Sequence, residues 1–162
     1  MLERDLDTVL DADAFDVVVV STEDDEIAAI AERRGVLVHE RPADLREDTT
    51  GAAEITLSAC DHVERTQGAR IGVAACLAPV YPLLRPESVA RAVAEFAAAP
   101  DANFLMSVHQ TDPHDFHWAL RDTGDGYAEL WFGKEFLKDR AFLPPAYSAT
   151  GAIKLARPAA LR

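Results

Sequence analysis

The chain has 162 residues, 49% hydrophobic and 27% charged, with 16 Lys and Arg against 28 Asp and Glu for a formal net charge of −12. This is globular composition at a length that supports one core, so a single domain over residues 1–162 is expected. The acidic balance, with lysine only at Lys134, Lys138 and Lys154, argues against nucleic acid or an anionic membrane surface as a partner.

No apolar run approaches the roughly 20 residues of a membrane span. The opening stretch MLERDLDTVLDAD is acidic and lacks the layout of a signal peptide, so a cytoplasmic location is expected. Cys60 and Cys76 do not form a CxxC pair and read as small buried apolar residues.

In chain order, Leu2, Leu6, Val9 and Leu10 recur at helical spacing and predict a helix over 2–12. Val17 to Val20 form a short, wholly apolar run, as in a strand buried on both faces. Ser21 to Glu26 combine an N-cap signal with acids in a first turn, so a helix follows from Ile27 to Arg34 and stops at Gly35. Val36 to Val38 are a second strand.

Arg41 to Thr50 form a polar loop, with Asp48 or Thr49 as cap for a helix over Ala52–Val63. Ile71 to Leu77 are a third strand, leading into a loop punctuated by Pro79, Pro82 and Pro86. Val89 to Ala98 are an amphipathic helix and Phe104 to Val108 a fourth strand. Strands alternating with helices define an α/β protein with a mostly parallel sheet.

The character changes after His109. Gln110 to His117 read as a polar loop. Asp122-Thr123-Gly124-Asp125-Gly126, between Trp118–Arg121 and Tyr127–Trp131, is a hairpin signal. Lys134 to Arg140 suggest a short helix, and Gly151 to Ala156 a strand returning to the sheet.

Several of these pieces, in order, resemble the acylneuraminate cytidylyltransferase family, the CMP-sialic acid synthetases and their relatives. They are Phe15–Ile27; Glu40-Arg41-Pro42-Ala43-Asp44-Leu45 with Asp48-Thr49-Thr50; Ala78–Leu83; Phe116–Leu120 after His114; and Leu143–Tyr147 with Gly151-Ala152-Ile153. The resemblance implies a three-layer Rossmann-like fold with a small β-hairpin dimerisation arm at about 110–148. It also implies transfer of CMP from CTP to an acidic sugar, and a homodimer formed through segment 117–147. By the same resemblance, Arg41, Asp48, Thr49, Thr50 and Arg85 would face the nucleotide and Arg140 the sugar carboxylate. Magnesium is implied if the ancestral activity is retained; no other cofactor is expected.

The departures from the family pattern carry equal weight. Residues 1–40 hold only Arg4, Arg33 and Arg34 as fixed cations, and no glycine before Gly35. A triphosphate needs converging N–H groups and cations, so these residues supply no cradle for one. The first strand of the family and its glycine- and lysine-rich loop have no counterpart, which is expected to expose strand edges and apolar surface. Ala78 stands where the family has Gln, Val80, Tyr81 and Leu84 replace Thr, Ser and Arg, and Thr150 replaces Asn. In the family pattern the Asp-x-Asp pair that holds the metal comes after the position matched by Arg162, so those aspartates are expected to be missing from residues 1–162.

His109, Asp112, His114, Asp115 and His117 are the densest cluster of reactive side chains. Such residues can ligate a transition metal, or supply a general base to a small anionic substrate; His109, His114 and His117 are the catalytic candidates on that reading. The competing reading is inherited arm structure without a metal, and it is the one preferred here. Trp118, Trp131, Phe132 and Phe136 read as interface aromatics. Three functions remain open: a working cytidylyltransferase, a degenerate homologue serving as a binding or assembly subunit, and a homologue recruited to different chemistry at the His/Asp loop.

Overall fold

The computed structural model describes residues 1–47, 49–137 and 139–162. In chain order its elements are α1 (Leu2–Asp11), β1 (Val19–Thr22), α2 (Asp25–Arg33), β2 (Leu37–Glu40), α3 (Ala52–Gln67), β3 (Ala74–Cys76), α4 (Pro86–Ala97), β4 (Phe104–Thr111), α5 (Pro113–His117), β5 (Leu120–Asp122), β6 (Ala128–Leu130) and β7 (Ala146–Ala156). They form two compact units, residues 1–106 with 151–162 and residues 107–150.

The first unit has the α/β, Rossmann-like organisation read from the sequence. β1 and β2 pair in parallel, Val19 opposite Leu37 and Thr22 opposite Glu40. The Asp24 carboxylate caps α2, accepting from the amides of Glu26 and Ile27 at 2.8 and 3.0 Å. Leu6 of α1, Ala31 of α2 and Val36 are buried together against this sheet.

A second sheet has the order β3-β7-β4. β7 runs antiparallel to β3, Ala74 opposite Ala156 and Cys76 opposite Lys154. The sheets are therefore mixed, a departure from the mostly parallel expectation. Among the described residues between β6 and β7 there is no crossover helix of the kind that returns a chain in parallel. Val89 and Phe96 of α4 are buried with Ile153 and Leu155 of β7. Burial of side chains this size contributes about 1.5–3 kcal/mol each.

Several boundaries differ from the sequence reading: β1 spans Val19–Thr22 rather than Val17–Val20, and β3 only Ala74–Cys76 of the expected 71–77. α3 does not use Thr49 as its cap. Gly51 holds that position, and its amide donates to the Glu54 carboxylate at 3.1 Å, while Asp48 lies outside the described residues. α3 also runs past Val63 to Gln67, closing at Gly68 in the left-handed region, φ 66°.

The second unit holds the outer parts of β4 and β7, α5 and the β5–β6 hairpin. Leu120 lies opposite Leu130 and Asp122 opposite Ala128, so the hairpin closes over the predicted Asp-Thr-Gly-Asp-Gly turn. Gly124 and Gly126 adopt φ 81° and 88°, which side chains disfavour. The stretch expected as a loop over 110–117 is ordered instead. β4 continues to Thr111, and Asp112 caps α5 by accepting from the His114 amide at 3.0 Å, with Pro113 in the first turn. Of the helix expected over 134–140, the described residues form 3-10 turns at Lys134–Phe136 and at Arg140–Phe142, and residue 138 lies outside them.

Candidate functional site

Because β1 and β2 are parallel and end together at Thr22 and Glu40, the residues after them share one edge, the carboxyl edge at which open α/β sheets place ligands. Arg41 is the first residue beyond β2. Its amide donates to the Thr22 carbonyl at 3.0 Å, which continues the strand pairing by one step. Its guanidinium turns back over β1: Nη2 donates to the Ser21 carbonyl at 3.0 Å, and Nη1 stands 3.2 Å from the Glu23 carboxylate. Nε is buried without a hydrogen-bond partner. An arginine held this way presents a fixed planar cation at the edge.

Beneath it lies a residue the sequence reading passed over. His39 is 2% exposed, with Nδ1 3.0 Å from the Ser21 hydroxyl and Nε2 3.2 Å from the Ser58 hydroxyl of α3. The His62 ring lies 5.2 Å away, centroid to centroid. Burial lowers the His39 pKa from its ordinary 6.5, and the nearby charges of His62, Arg41 and Arg65 lower it further. A neutral imidazole between two hydroxyls ties β2 to β1 and to α3. Strand alternation was the available signal, because it puts His39 on the same face as Leu37.

A cavity of about 730 Å³ opens beside β1. Its walls are the apolar residues of β1 and β3, Leu2, Leu6 and Val9 of α1, and Ile55, Ala59 and Val63 of α3. Ser21, Thr22, Glu23, Asp24, Arg41 and Ala78 also line it. Ala78, where the resembled family has Gln, thus contributes no hydrogen-bonding side chain.

The other nucleotide candidates are dispersed. Thr49 is exposed, with its hydroxyl 3.4 Å from the Glu47 carboxylate. The Thr50 amide donates to the Glu47 carbonyl. Arg85 is exposed and occupies the N-cap position of α4 without a side-chain cap. Asp48 and the Arg140 side chain lie outside the described residues. The magnesium implied by the resemblance finds no ready donor set among the described residues. No group of three or more His, Cys, Asp or Glu converges there; Glu23 is paired with Arg41, and Asp24 caps α2.

In the second unit the three histidines occupy different settings. His109 is an exposed strand residue of β4. His114 packs against Trp118 at 4.3 Å between ring centroids, with Nδ1 3.9 Å from the Asp115 carboxylate. His117 is buried, stacked on Phe136 at 4.7 Å and 7° and edge-on to Phe116 and Phe132, with neither ring nitrogen hydrogen-bonded. Phe132 and Phe136 thus enclose a histidine, whereas Trp118 and Trp131 stand 38% and 60% exposed.

Arg41 thus stands at the carboxyl edge of the parallel pair, where open α/β sheets place their ligands. The family model described as cytidylyltransferase matches residues 1–143, and the chain belongs to that family. Among solved structures it is similar to a CMP:2-keto-3-deoxy-manno-octonic acid synthetase complexed with CTP, with a TM-score of 0.65 and 14% identity. The match covers 98% of this chain and 64% of that one, so the chain spans somewhat less than two thirds of its structural neighbour.

Proposed function

We propose that this chain carries a reduced CMP-transfer site: one descended from enzymes that move CMP from CTP to an acidic sugar, keeping the nucleotide-facing arginine but not the charge that holds a triphosphate. The observation that carries this reading is Arg41, fixed by Ser21 and Glu23 at the shared edge of β1 and β2. It lies within a segment matched by the cytidylyltransferase family model. Its guanidinium faces the base or ribose of a cytidine nucleotide, with Thr49 and Thr50 from the following loop. Phosphoryl and nucleotidyl transfer depend on metal and cationic charge. Residues 1–162 bring little of either to this edge, so by themselves they act as a binding or assembly subunit.

Calorimetry with CTP and magnesium tests this. The expected dissociation constant is weaker than about 1 mM, equivalent to about −4 kcal/mol, with no turnover on a panel of sugar acids. Micromolar affinity or CMP transfer by the 162-residue chain overturns the reduced-site reading. Loss of the residual binding in Arg41→Gln is the result expected if the arginine carries it.

The second unit supports assembly rather than separate chemistry. His117 is enclosed by phenylalanines, while Tyr127, Trp131, Phe142 and Tyr147 stand 57–77% exposed. Aromatic surface of this extent marks a protein contact, and a homodimer through segment 117–147 is the proposed use.

A further inference from the structure

At the shared edge of β1 and β2, among the described residues, the groups suited to an anion already hold carboxylates of the chain itself. The Arg41 guanidinium has the Glu23 carboxylate 3.2 Å from Nη1. Arg46, whose Nε donates to the Arg41 carbonyl at 2.8 Å, has Nη2 3.3 Å from the Glu40 carboxylate. The amides of Glu26 and Ile27 at the start of α2, a natural seat for a negative group, donate to the Asp24 carboxylate at 2.8 and 3.0 Å. His39 beneath adds no positive charge, because burial holds its imidazole neutral. Asp25 and Glu26 follow in the first turn of α2, so carboxylates outnumber Arg41 and Arg46 here.

These pairs are not equally firm. Arg46 and Glu40 are exposed, and water weakens such a contact. The Arg41 and Glu23 side chains are only 24% and 38% exposed, and partly buried charges are screened less. Arg41 is also anchored to the Ser21 carbonyl at 3.0 Å, so it is not free to swing toward a ligand. An incoming phosphate must displace Glu23 or lie beside its negative charge. An uncharged ligand meets neither cost. An arginine carries more N–H donors than Ser21 and Glu23 occupy, and those that remain suit a carbonyl or a hydroxyl.

We infer that Glu23 sets the specificity of this edge: its carboxylate fills the anion place of Arg41, so the edge rejects phosphate groups and admits uncharged hydrogen-bonding ones, such as a nucleoside base or ribose. The admission of a nucleoside rests on the nucleotide reading proposed above; the rejection of phosphate does not. Glu23 acts here through Arg41, and the consequence is a choice between ligands rather than a change in fold.

Inorganic triphosphate without magnesium, and separately cytidine, are titrated at constant ionic strength, with the amide NMR signals of Ser21 and Thr22 as readout. Glu23→Gln should bind triphosphate about tenfold more tightly than the unchanged chain. Glu26→Gln removes the same charge from the same helix start and should leave the affinity near its original value. Adding Arg41→Gln to Glu23→Gln should abolish the gain. Cytidine should bind the unchanged chain and Glu23→Gln alike. The cap of α2 is Asp24, so Glu23→Gln leaves the start of the helix intact. Glu23→Ala repeats the comparison with no side chain left to pair with Arg41.

Equal triphosphate affinity in the unchanged chain and in both Glu23 variants overturns the inference. So does an equal gain in Glu26→Gln, which assigns the effect to net charge, or a gain that survives the loss of Arg41. Cytidine that perturbs neither protein overturns the nucleotide reading and the admission of a nucleoside with it, while the triphosphate comparison still decides whether Glu23 excludes phosphate.

Discussion

His39 shows how one side chain can carry more of the site than its neighbours suggest. It is neutral because burial and nearby positive groups hold its pKa below 6.5. Its folded value is depressed, so the stability it contributes is present above the unfolded pKa of about 6.5 and is lost as pH falls through the folded value. Denaturant midpoints measured from pH 8 down to pH 5 should therefore fall, and the part of that slope owed to His39 should vanish in His39→Leu. The variant also strands the Ser21 and Ser58 hydroxyls, at a cost of about 1–2 kcal/mol at pH 8. Identical slopes in the two proteins would remove His39 as the source. Arg41 was singled out through the resemblance of its Arg-Pro loop, and its guanidinium is held by Ser21 and Glu23. His39 was passed over: strand alternation puts it on the face of Leu37, but only the fold brings Ser58 to it.

At the scale of elements, caps and turns decide where the chain changes direction. Gly68 ends α3 at φ 66°, and a Cβ there would meet nothing within 4 Å. Gly68→Ala therefore tests backbone conformation without a clash. It should cost about 1–2 kcal/mol, seen as a lower Tm, while Gly72→Ala, also in open space but without a positive φ, should leave Tm nearly unchanged. Equal effects would show that α3 does not depend on the left-handed cap. The helices and short strands were readable because each carries a local signal: Asp24 before α2, Pro86 opening α4, the glycines of the hairpin turn. The antiparallel pairing of β7 with β3 was not. Nothing in Gly151–Ala156 encodes strand direction, which long-range packing of Ile153 and Leu155 on α4 settles. The loop expected over 110–117 became strand and helix because Asp112 and Pro113, read as loop formers, act as a helix start.

For the whole molecule, charge and exposed aromatics pull in opposite directions. A net charge of −12 on 162 residues keeps copies apart, while the aromatic surface of residues 107–150 favours contact. Association should therefore tighten as salt rises and screening shortens to about 8 Å at 0.15 M. Light scattering at micromolar concentration is expected to report a dimer, with Trp131→Ser and Phe142→Ser shifting it to monomer. A monomer at every salt concentration would contradict the proposed arm contact.

The pairing of Ala74 with Ala156 also sets an order of events in time. The β5–β6 hairpin joins residues close in sequence and can close within about 1–10 μs once it is made. β3 must wait while about eighty further residues are synthesised before its partner exists, about 4–16 s at ribosomal speed. Through that interval its edges and the walls of α3 stay uncovered on a nascent chain. The period of greatest aggregation hazard therefore falls during translation, and a chain released before Ala156 would never leave it.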